Sequence, residues 1–271
     1  MLRKLLQDLA PPLLLRIFRG LRGGDISFRG DFDTWEAAVA ASTGYDSDAI
    51  LRATREAALK VKQGEARFDR DGVAFDRVEF QFPANAALLR AAAARSGELT
   101  VLDFGGSLGT SYRQFRAFGA PLRRLRWNVV EQPRIAATGS EHFESTELRF
   151  FSSLAEALRD GKPDVVLLSS VLQYLPDPYA VLEELAAMQP ASMVIDRTPC
   201  SEGSRDLLCV QTVPASIYQG SYPCWVFSRV KLESALGKRH VLRASFRDSG
   251  PALHNDLGEF VLQGYVLDAK A

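Results

Sequence analysis

From Leu99 onward, short apolar runs alternate with segments of helical periodicity, and no other feature of the 271-residue chain constrains its fold as strongly. Such alternation is typical of parallel strands joined by crossover helices. Seven strands are predicted: Leu99–Phe104, Arg126–Glu131, Leu148–Phe151, Asp164–Ser169, Ser192–Asp196, His240–Phe246 and Glu259–Leu267. The turn at Ser249-Gly250-Pro251 indicates that the last two strands are antiparallel. The pattern therefore predicts an α/β protein with a mostly parallel, seven-stranded sheet and a reversed last strand.

The residues before this region have a different pattern and predict a different organisation. Residues 1–22 place leucines and basic side chains at helical spacing, as in a basic amphipathic leader. Residues 23–97 predict helices near Asp33, near Ser47 and after Pro83, and we interpret them as a helical cap. Residues 98–271 form the predicted sheet domain, in which 198–227 is expected to be an irregular insertion.

The leader has two interpretations that the sequence leaves open. It contains five basic residues and a single acidic one, and its leucines line one face of the predicted helix. Weak contact with an anionic membrane surface is therefore one expectation. Packing against its own domain or a partner is the other. No apolar run reaches the roughly 20 residues of a membrane-spanning helix, and the leader does not resemble a signal peptide. We therefore expect a cytoplasmic protein, with the leader able to touch the inner face of the membrane.

Charge and cysteine content narrow the function classes. Lys+Arg and Asp+Glu both total 33, so no broad positive field favours nucleic acid as a partner. The three cysteines, Cys200, Cys209 and Cys224, are odd in number and lie in one stretch, which favours reduced thiols over a disulfide framework. Their spacing matches no zinc motif, so no metal site is predicted.

A glycine-rich turn follows the first strand and carries the strongest chemical signal. In Val101-Leu102-Asp103-Phe104-Gly105-Gly106-Ser107-Leu108-Gly109, the strand runs directly into the turn and then into a helix. Glycine lets the backbone approach a ligand closely, and a helix N-terminus presents free N–H groups. Glu131 ends the next strand, where its carboxylate could accept both hydroxyls of a ribose. An NAD site would have G-x-G-x-x-G spacing, which the glycines at 105, 106 and 109 do not match.

The segment Asp103–Gly109 resembles the first motif of class I S-adenosylmethionine-dependent methyltransferases, with Ser107 in place of the middle glycine. The resemblance implies a Rossmann-like fold, S-adenosyl-L-methionine as cofactor, and Glu131 as the ligand of the ribose hydroxyls. Cofactor contacts are expected from these residues: Asp103, Gly105, Gly106, Ser107, Gly109, Glu131, Gln132, Ser169 and Ser170. The chain also resembles a narrower group of proposed bacterial methyltransferases associated with surface-polysaccharide gene clusters. The segments Ile195–Pro199 and Ser221–Pro223 contribute to this second resemblance.

The remaining candidates lie at later strand ends. Methyl transfer is an in-line displacement, so the enzyme aligns the reactants and removes a proton when the acceptor is a hydroxyl. Tyr174, Asp196 and Arg197 are the catalytic candidates, and a structural role remains the alternative for each. Substrate contacts are expected from Gln173, Tyr218, Tyr222 and Trp225, the last three on an insertion that would close over the acceptor.

These observations predict an S-adenosylmethionine-dependent methyltransferase that O-methylates a small-molecule acceptor, best guessed as a sugar or a glycolipid or polysaccharide intermediate. Two alternatives remain open: an NAD-dependent oxidoreductase or epimerase on a related sheet, and a non-catalytic cofactor-binding module. The same fold supports several chemistries, so the function has to be inferred from the residues of the site. The acceptor, the methylated atom and the oligomeric state are not specified by the sequence.

Overall fold

The structure, a computed structural model, describes residues 26–43, 47–118, 122–159, 161–215, 217–248, 250 and 252–270. The predicted leader, residues 1–22, lies outside the described residues. The helices are α1 (Trp35–Ala40), α2 (Ser47–Lys62), α3 (Phe82–Ala94), α4 (Thr110–Phe118), α5 (Pro133–Phe143), α6 (Leu154–Ala157), α7 (Pro178–Ala187) and α8 (Arg229–Leu236). A 3₁₀ turn, Leu172–Tyr174, lies between α6 and α7.

The strands are β1 (Ser27–Arg29), β2 (Phe68–Arg70), β3 (Val73–Phe75), β4 (Glu98–Phe104), β5 (Arg124–Val130), β6 (Leu148–Phe151) and β7 (Val165–Ser169). They continue with β8 (Ser192–Ser201), β9 (Leu207–Val213), β10 (Gly220–Ser228), β11 (His240–Arg247), β12 (Leu253–Asn255) and β13 (Gly258–Ala269).

The central sheet has the order β6-β5-β4-β7-β8-β13-β11. Strands β6, β5, β4, β7 and β8 are parallel to one another, and β13 is antiparallel to both of its neighbours. The predicted mostly parallel sheet with a reversed last strand is therefore confirmed. The carboxyl ends of the parallel strands share one edge, which is where open α/β sheets bind ligands.

Apolar side chains cover both faces of this sheet, which explains the continuous apolar runs of its strands. On one face, Leu88 of α3 and Phe115 of α4 pack against Trp127, and all three are at most 1% exposed. On the other face, Leu185 of α7 and Leu232 of α8 are completely buried. Residue 97 was predicted as a domain boundary, yet α3 packs into the same apolar cluster as β4.

The prediction that 198–227 is irregular is wrong, because the segment is mostly β-sheet. Strand β7 ends where Ser169 lies opposite Asp196, whereas β8 continues to Ser201. The edge of β8 that β7 leaves open pairs in parallel with the end of β10. Strand β10 in turn pairs with β9, and β9 with β1, both antiparallel. Pro223 is tolerated within β10 because only β9 pairs with the strand at that position. The extension stands above the carboxyl edge of the central sheet as a wall.

The interpretation of residues 23–97 as a helical cap is incomplete, because the region also contains β1, β2 and β3. The hairpin β2–β3 interrupts the helices and is held in place by Asp69, which is 2% exposed. The carboxylate of Asp69 accepts hydrogen bonds from Arg113 at 2.7 and 2.8 Å and from the Thr110 hydroxyl at 2.7 Å. Arg113 and Thr110 belong to α4, so the hairpin is fixed to the helix that follows the glycine-rich turn.

Within the described ranges, no helix combines the length and apolar character needed to cross a bilayer. The same ranges hold no cluster of three or more His, Cys, Asp or Glu side chains that could bind a metal ion. Cys200, Cys209 and Cys224 are buried free thiols.

Candidate active site

A cleft of about 1200 Å³ opens at the carboxyl ends of β4, β5, β7 and β8. Most of the predicted site residues line it: Gly105, Gly106, Ser107, Glu131, Gln132, Ser169, Ser170, Gln173, Tyr174, Asp196, Arg197, Tyr218 and Tyr222. Three predicted residues, Asp103, Gly109 and Trp225, lie outside this lining. Most of the predicted site residues thus meet at one edge of the sheet, and their roles stay predictions. The cleft has a glycine side and a hydroxyl-rich side.

The glycine side is formed by the turn at Gly105 and Gly106, which packs tightly against Val171 and Asp103. A Cβ on Gly105 would lie 2.3 Å from Val171, and one on Gly106 would lie 2.4 Å from the carboxyl carbon of Asp103. Gly105 has a φ of +71°, and Ser107, which replaces the expected glycine, has a φ of +52°. Gly109 has a φ of +86° and packs against Leu148 instead of facing the cleft. The turn thus exposes bare backbone to the cleft.

Glu131 lies immediately after β5 and bridges two backbone amides. One carboxylate oxygen accepts the N–H of Ser107 at 3.1 Å, and the other accepts the N–H of Gln132 at 2.9 Å. Burial raises the pKa of Glu131, and these two hydrogen bonds oppose that effect. Each oxygen keeps a further lone pair, so the carboxylate can still accept hydroxyl groups from a ligand.

Asp103 lies beneath the turn and does not face the cleft. Its side chain is completely buried, and one oxygen accepts the indole N–H of Trp127 at 2.9 Å. Its second oxygen has no partner among the described residues. Burial raises the pKa of Asp103 to about 7, against the effect of the Trp127 hydrogen bond. The structure therefore places this predicted cofactor contact behind the backbone of Gly106, where it supports the turn.

The exit of β7 contributes polar groups between the two sides. Ser170 has a φ of +57°, and its N–H donates to the carbonyl of Asp196 at 2.9 Å. The amide of Gln173 donates to the Ser170 hydroxyl at 3.0 Å. The Gln173 amide oxygen is buried and has no partner among the described residues, although the residue is only 2% exposed. A buried acceptor without a donor is costly, so this oxygen is available to a ligand hydroxyl or amine.

The hydroxyl-rich side carries a chain of hydrogen bonds along β9 and β10. Tyr174 donates to the Gln211 amide oxygen at 3.0 Å, and the Gln211 amide lies 3.5 Å from the Tyr222 hydroxyl. The hydroxyls of Tyr222 and Tyr218 are 3.0 Å apart. Burial raises the pKa of Tyr174 well above its ordinary value, so this hydroxyl stays neutral. The chain suits a ligand with several hydroxyl groups.

Asp196 and Arg197 lie between these two sides, at the point where β8 passes the end of β7. Asp196 is 2% exposed, and burial raises its pKa, whereas the Arg197 guanidinium acts in the opposite direction. Arg197 has a φ of +53° and donates to Asp71 at 2.7 Å. Burial alone would lower the pKa of Arg197, but the carboxylates of Asp71 and Asp196 raise it. A buried carboxylate with a raised pKa is suited to accept a proton.

Trp225 lies behind the cleft and does not line it. Its indole donates to the backbone carbonyl of Leu175 at 3.0 Å, and its ring stacks on Trp35 with centroids 6.4 Å apart. The sequence reasoning missed Gln211, Arg70 and Asp71, which do line the cleft. Only the pairing of β9 with β10 and of β2 with β3 brings them there, and neither hairpin was predicted.

No protein-family model matches the sequence, and no curated protein matches it. Among solved structures, the chain is similar to the N-terminal domain of EvdMO1, solved in the presence of SAH and D-fucose, with a TM-score of 0.50 and 17% identity over 83% of this chain and 98% of that one.

Two further solved structures are similar to the chain. A S-adenosylmethionine-dependent methyltransferase from Clostridium acetobutylicum has a TM-score of 0.49 and 9% identity, covering 80% of this chain and 98% of that one. CalS10, an amino pentose methyltransferase from Micromonospora echinaspora, has a TM-score of 0.45 and 13% identity, covering 71% and 92%. At such identities the similarity shows the fold alone. The chain has the Rossmann-like α/β fold of class I methyltransferases.

Proposed function

We propose that this protein is an S-adenosylmethionine-dependent methyltransferase. The observation that carries the proposal is Glu131, whose carboxylate lies at the end of β5 beside a turn of exposed backbone. The residues fit the cofactor, because Gly105 and Gly106 have no room for a side chain and line the cleft with backbone alone. Glu131 would hold the ribose hydroxyls, and the turn would lie along the methionine portion. When bound, the cofactor supplies an electrophilic methyl group on a sulfonium.

The acceptor that we propose is a sugar, including a glycolipid or polysaccharide intermediate, methylated on oxygen. The chain of hydroxyl and amide groups formed by Tyr174, Gln211, Tyr222 and Tyr218 supports this class, because a polyol can both donate to and accept from it. The likeness to EvdMO1, solved with D-fucose, supports it as well. A role in surface-polysaccharide assembly at the inner face of the membrane belongs to the same proposal.

Proton removal is assigned to Asp196. A sugar hydroxyl is a weak nucleophile, so a carboxylate that accepts its proton as the new bond forms assists the reaction. Burial raises the pKa of Asp196 and makes it a stronger base than an exposed aspartate. Gln173 would accept a hydrogen bond from the acceptor through its unpaired oxygen. Tyr174, held neutral, would orient the acceptor without taking the proton.

Incubation with labelled S-adenosylmethionine and a panel of sugars and lipid-linked saccharides tests this proposal. We expect label in a saccharide product that alkali does not remove, as for an ether. Reduction of NAD by the same panel would instead support the oxidoreductase alternative. Tight binding of S-adenosylhomocysteine with no transfer to any acceptor in the panel would favour the non-catalytic module.

A further inference from the structure

Two arginine side chains share the wall of the cleft that faces the acceptor. Arg70 ends β2 and Arg197 lies in β8, and both line the cleft. Their side chains are only 17% and 15% exposed. Burial lowers the pKa of Arg70, and the nearby positive charge of Arg197 lowers it further. The Arg197 guanidinium thus acts on Arg70 as a like charge.

Arg70 has one hydrogen-bonding edge that is not used. Its Nη1 donates to Glu79 at 2.8 Å, but its Nη2 is buried and has no partner among the described residues. A buried donor on a charged group is costly to leave unpaired. An anionic ligand in the cleft would satisfy this donor and also relieve the repulsion between the two guanidiniums.

Arg197 is paired with a carboxylate that an anionic ligand can replace. Asp71 lies in the exposed turn of the β2–β3 hairpin with a φ of +50°, and its side chain is 61% exposed. Because the Asp71 side chain is largely exposed, its carboxylate can be solvated by water when a ligand anion takes its place on Arg197. Glu79, the partner of Arg70, is 67% exposed. Two other carboxylates act on these arginines: the buried Asp196 raises the pKa of Arg197, and Asp248 raises that of Arg70.

We propose that the acceptor carries a phosphoryl group, which Arg70 and Arg197 bind while the hydroxyl to be methylated faces Asp196. This inference rests on the proposed function, since it names the class of saccharide that the site accepts. A phosphate ester presents three oxygens with a charge near −2, which matches two guanidinium groups. A carboxylate has two oxygens and one charge, and fits a single guanidinium. Asp71 occupies the position of the phosphoryl group when no acceptor is bound.

Calorimetry in the presence of saturating S-adenosylhomocysteine tests the proposal. The probes are the 1-phosphates of glucose, galactose, mannose and fucose, the four free sugars, inorganic phosphate, and glucuronate. We expect at least one hexose phosphate to bind at least about tenfold more tightly than its free sugar, since one charge-assisted hydrogen bond is worth about that factor. We also expect this hexose phosphate to bind more tightly than inorganic phosphate, which would show that the sugar contributes to binding as well as the phosphoryl group.

Three variants make the test specific to the arginine pair. Arg70→Gln should weaken binding of the hexose phosphate by roughly ten- to a hundredfold, and Arg70→Lys by less, because it keeps the charge but loses the planar fork. Asp71→Asn should strengthen binding several-fold, since it removes the competing carboxylate and asparagine tolerates a positive φ. Arg67→Gln is the matched control, because Arg67 is an exposed arginine of the same segment outside the cleft lining.

Several results would overturn the proposal. They are equal binding of phosphate esters and free sugars, equal binding by wild type and Arg70→Gln, weaker binding by Asp71→Asn, or glucuronate binding as tightly as the hexose phosphates. Affinity for S-adenosylhomocysteine separates this failure from that of the proposed function. If wild type and variants bind S-adenosylhomocysteine but no phosphate ester, only the phosphoryl inference fails; if S-adenosylhomocysteine does not bind, the proposed function fails first.

Discussion

The two sides of the cleft are assembled over different distances along the chain. On the glycine side, Gly105, Gly106 and Ser107 are consecutive in the chain. The side chains packed closest to the two glycines are Val171 and Asp103. On the acceptor side, Arg70, Tyr174, Arg197, Gln211 and Tyr222 come from five separate elements or turns. A local backbone motif can serve one cofactor in many proteins, whereas a wall assembled from distant segments can change residue by residue. Substitutions on the two sides should therefore separate cofactor affinity from acceptor turnover.

The largest separation is expected for Asp196→Asn. Loss of the general base should lower kcat by about 10²- to 10⁴-fold, while affinity for S-adenosylhomocysteine stays the same. In the wild type, kcat should fall as pH decreases through the raised pKa of Asp196, because the protonated carboxyl cannot accept the proton. The exposed Asp76→Asn is the control. Steady-state kinetics would contradict the assignment if Asp196→Asn kept wild-type kcat.

A smaller effect on the same side is expected when both Tyr218 and Tyr222 are replaced by Phe. The variant keeps the rings but loses two hydroxyls that end the hydrogen-bond chain, so turnover should fall roughly tenfold. Affinity for S-adenosylhomocysteine should hardly change. Tyr112→Phe, which removes a hydroxyl bonded to Glu147 away from the cleft, serves as control. If cofactor affinity collapsed instead, the two sides would not be separable in the way that we describe.

A separate effect concerns stability instead of turnover and tests the glycine side. Asp103 has a pKa of about 7 in the folded protein and an ordinary value of 3.8, so between these values the folded chain holds a proton that the unfolded chain has lost. Asp103 therefore makes folding less favourable as pH rises through this window, by up to about 4 kcal/mol.

Asp103→Asn removes this titration and keeps an acceptor for Trp127. Relative to wild type, the variant should gain free energy of unfolding on going from pH 4.5 to pH 7.5, as measured by urea denaturation. A difference between variant and wild type that does not depend on pH would show that Asp103 is ionised throughout, and that burial is not the main influence on this group.

The sequence predicted the glycine side well because its signals are local. Strand β6 has the predicted bounds, and Glu131 lies where the pattern placed it, one residue past β5. Such signals need only the period of a strand, a glycine with positive φ and an acid at the next strand end. Asp103 was expected to contact the cofactor but lies beneath the turn, since the alternation along β4 turns its side chain away from the cleft.

The acceptor side could be predicted only in part, because its geometry depends on pairing between distant strands. Strand β8 was expected to end at Asp196, with an irregular insertion from residue 198 onward, yet it continues beside β10. Tyr218 and Tyr222 line the cleft, and their contact with the acceptor stays a prediction. Trp225 points to the opposite face of the same strand from Tyr222 and packs on Trp35. Gln211 had no local signal at all, since only its register opposite Tyr222 reveals it.

The most direct test of the account is the calorimetric affinity for S-adenosylhomocysteine of the wild type, Glu131→Ala and the control Glu65→Ala, in which an exposed glutamate is removed. We expect the wild type and Glu65→Ala to bind alike, and Glu131→Ala to bind roughly ten- to a hundredfold more weakly, since it loses charged hydrogen bonds worth about 1.5–3 kcal/mol. Circular dichroism would show that the variants are folded. Unchanged affinity in a folded Glu131→Ala, or NAD binding in place of S-adenosylhomocysteine, would contradict the central claim.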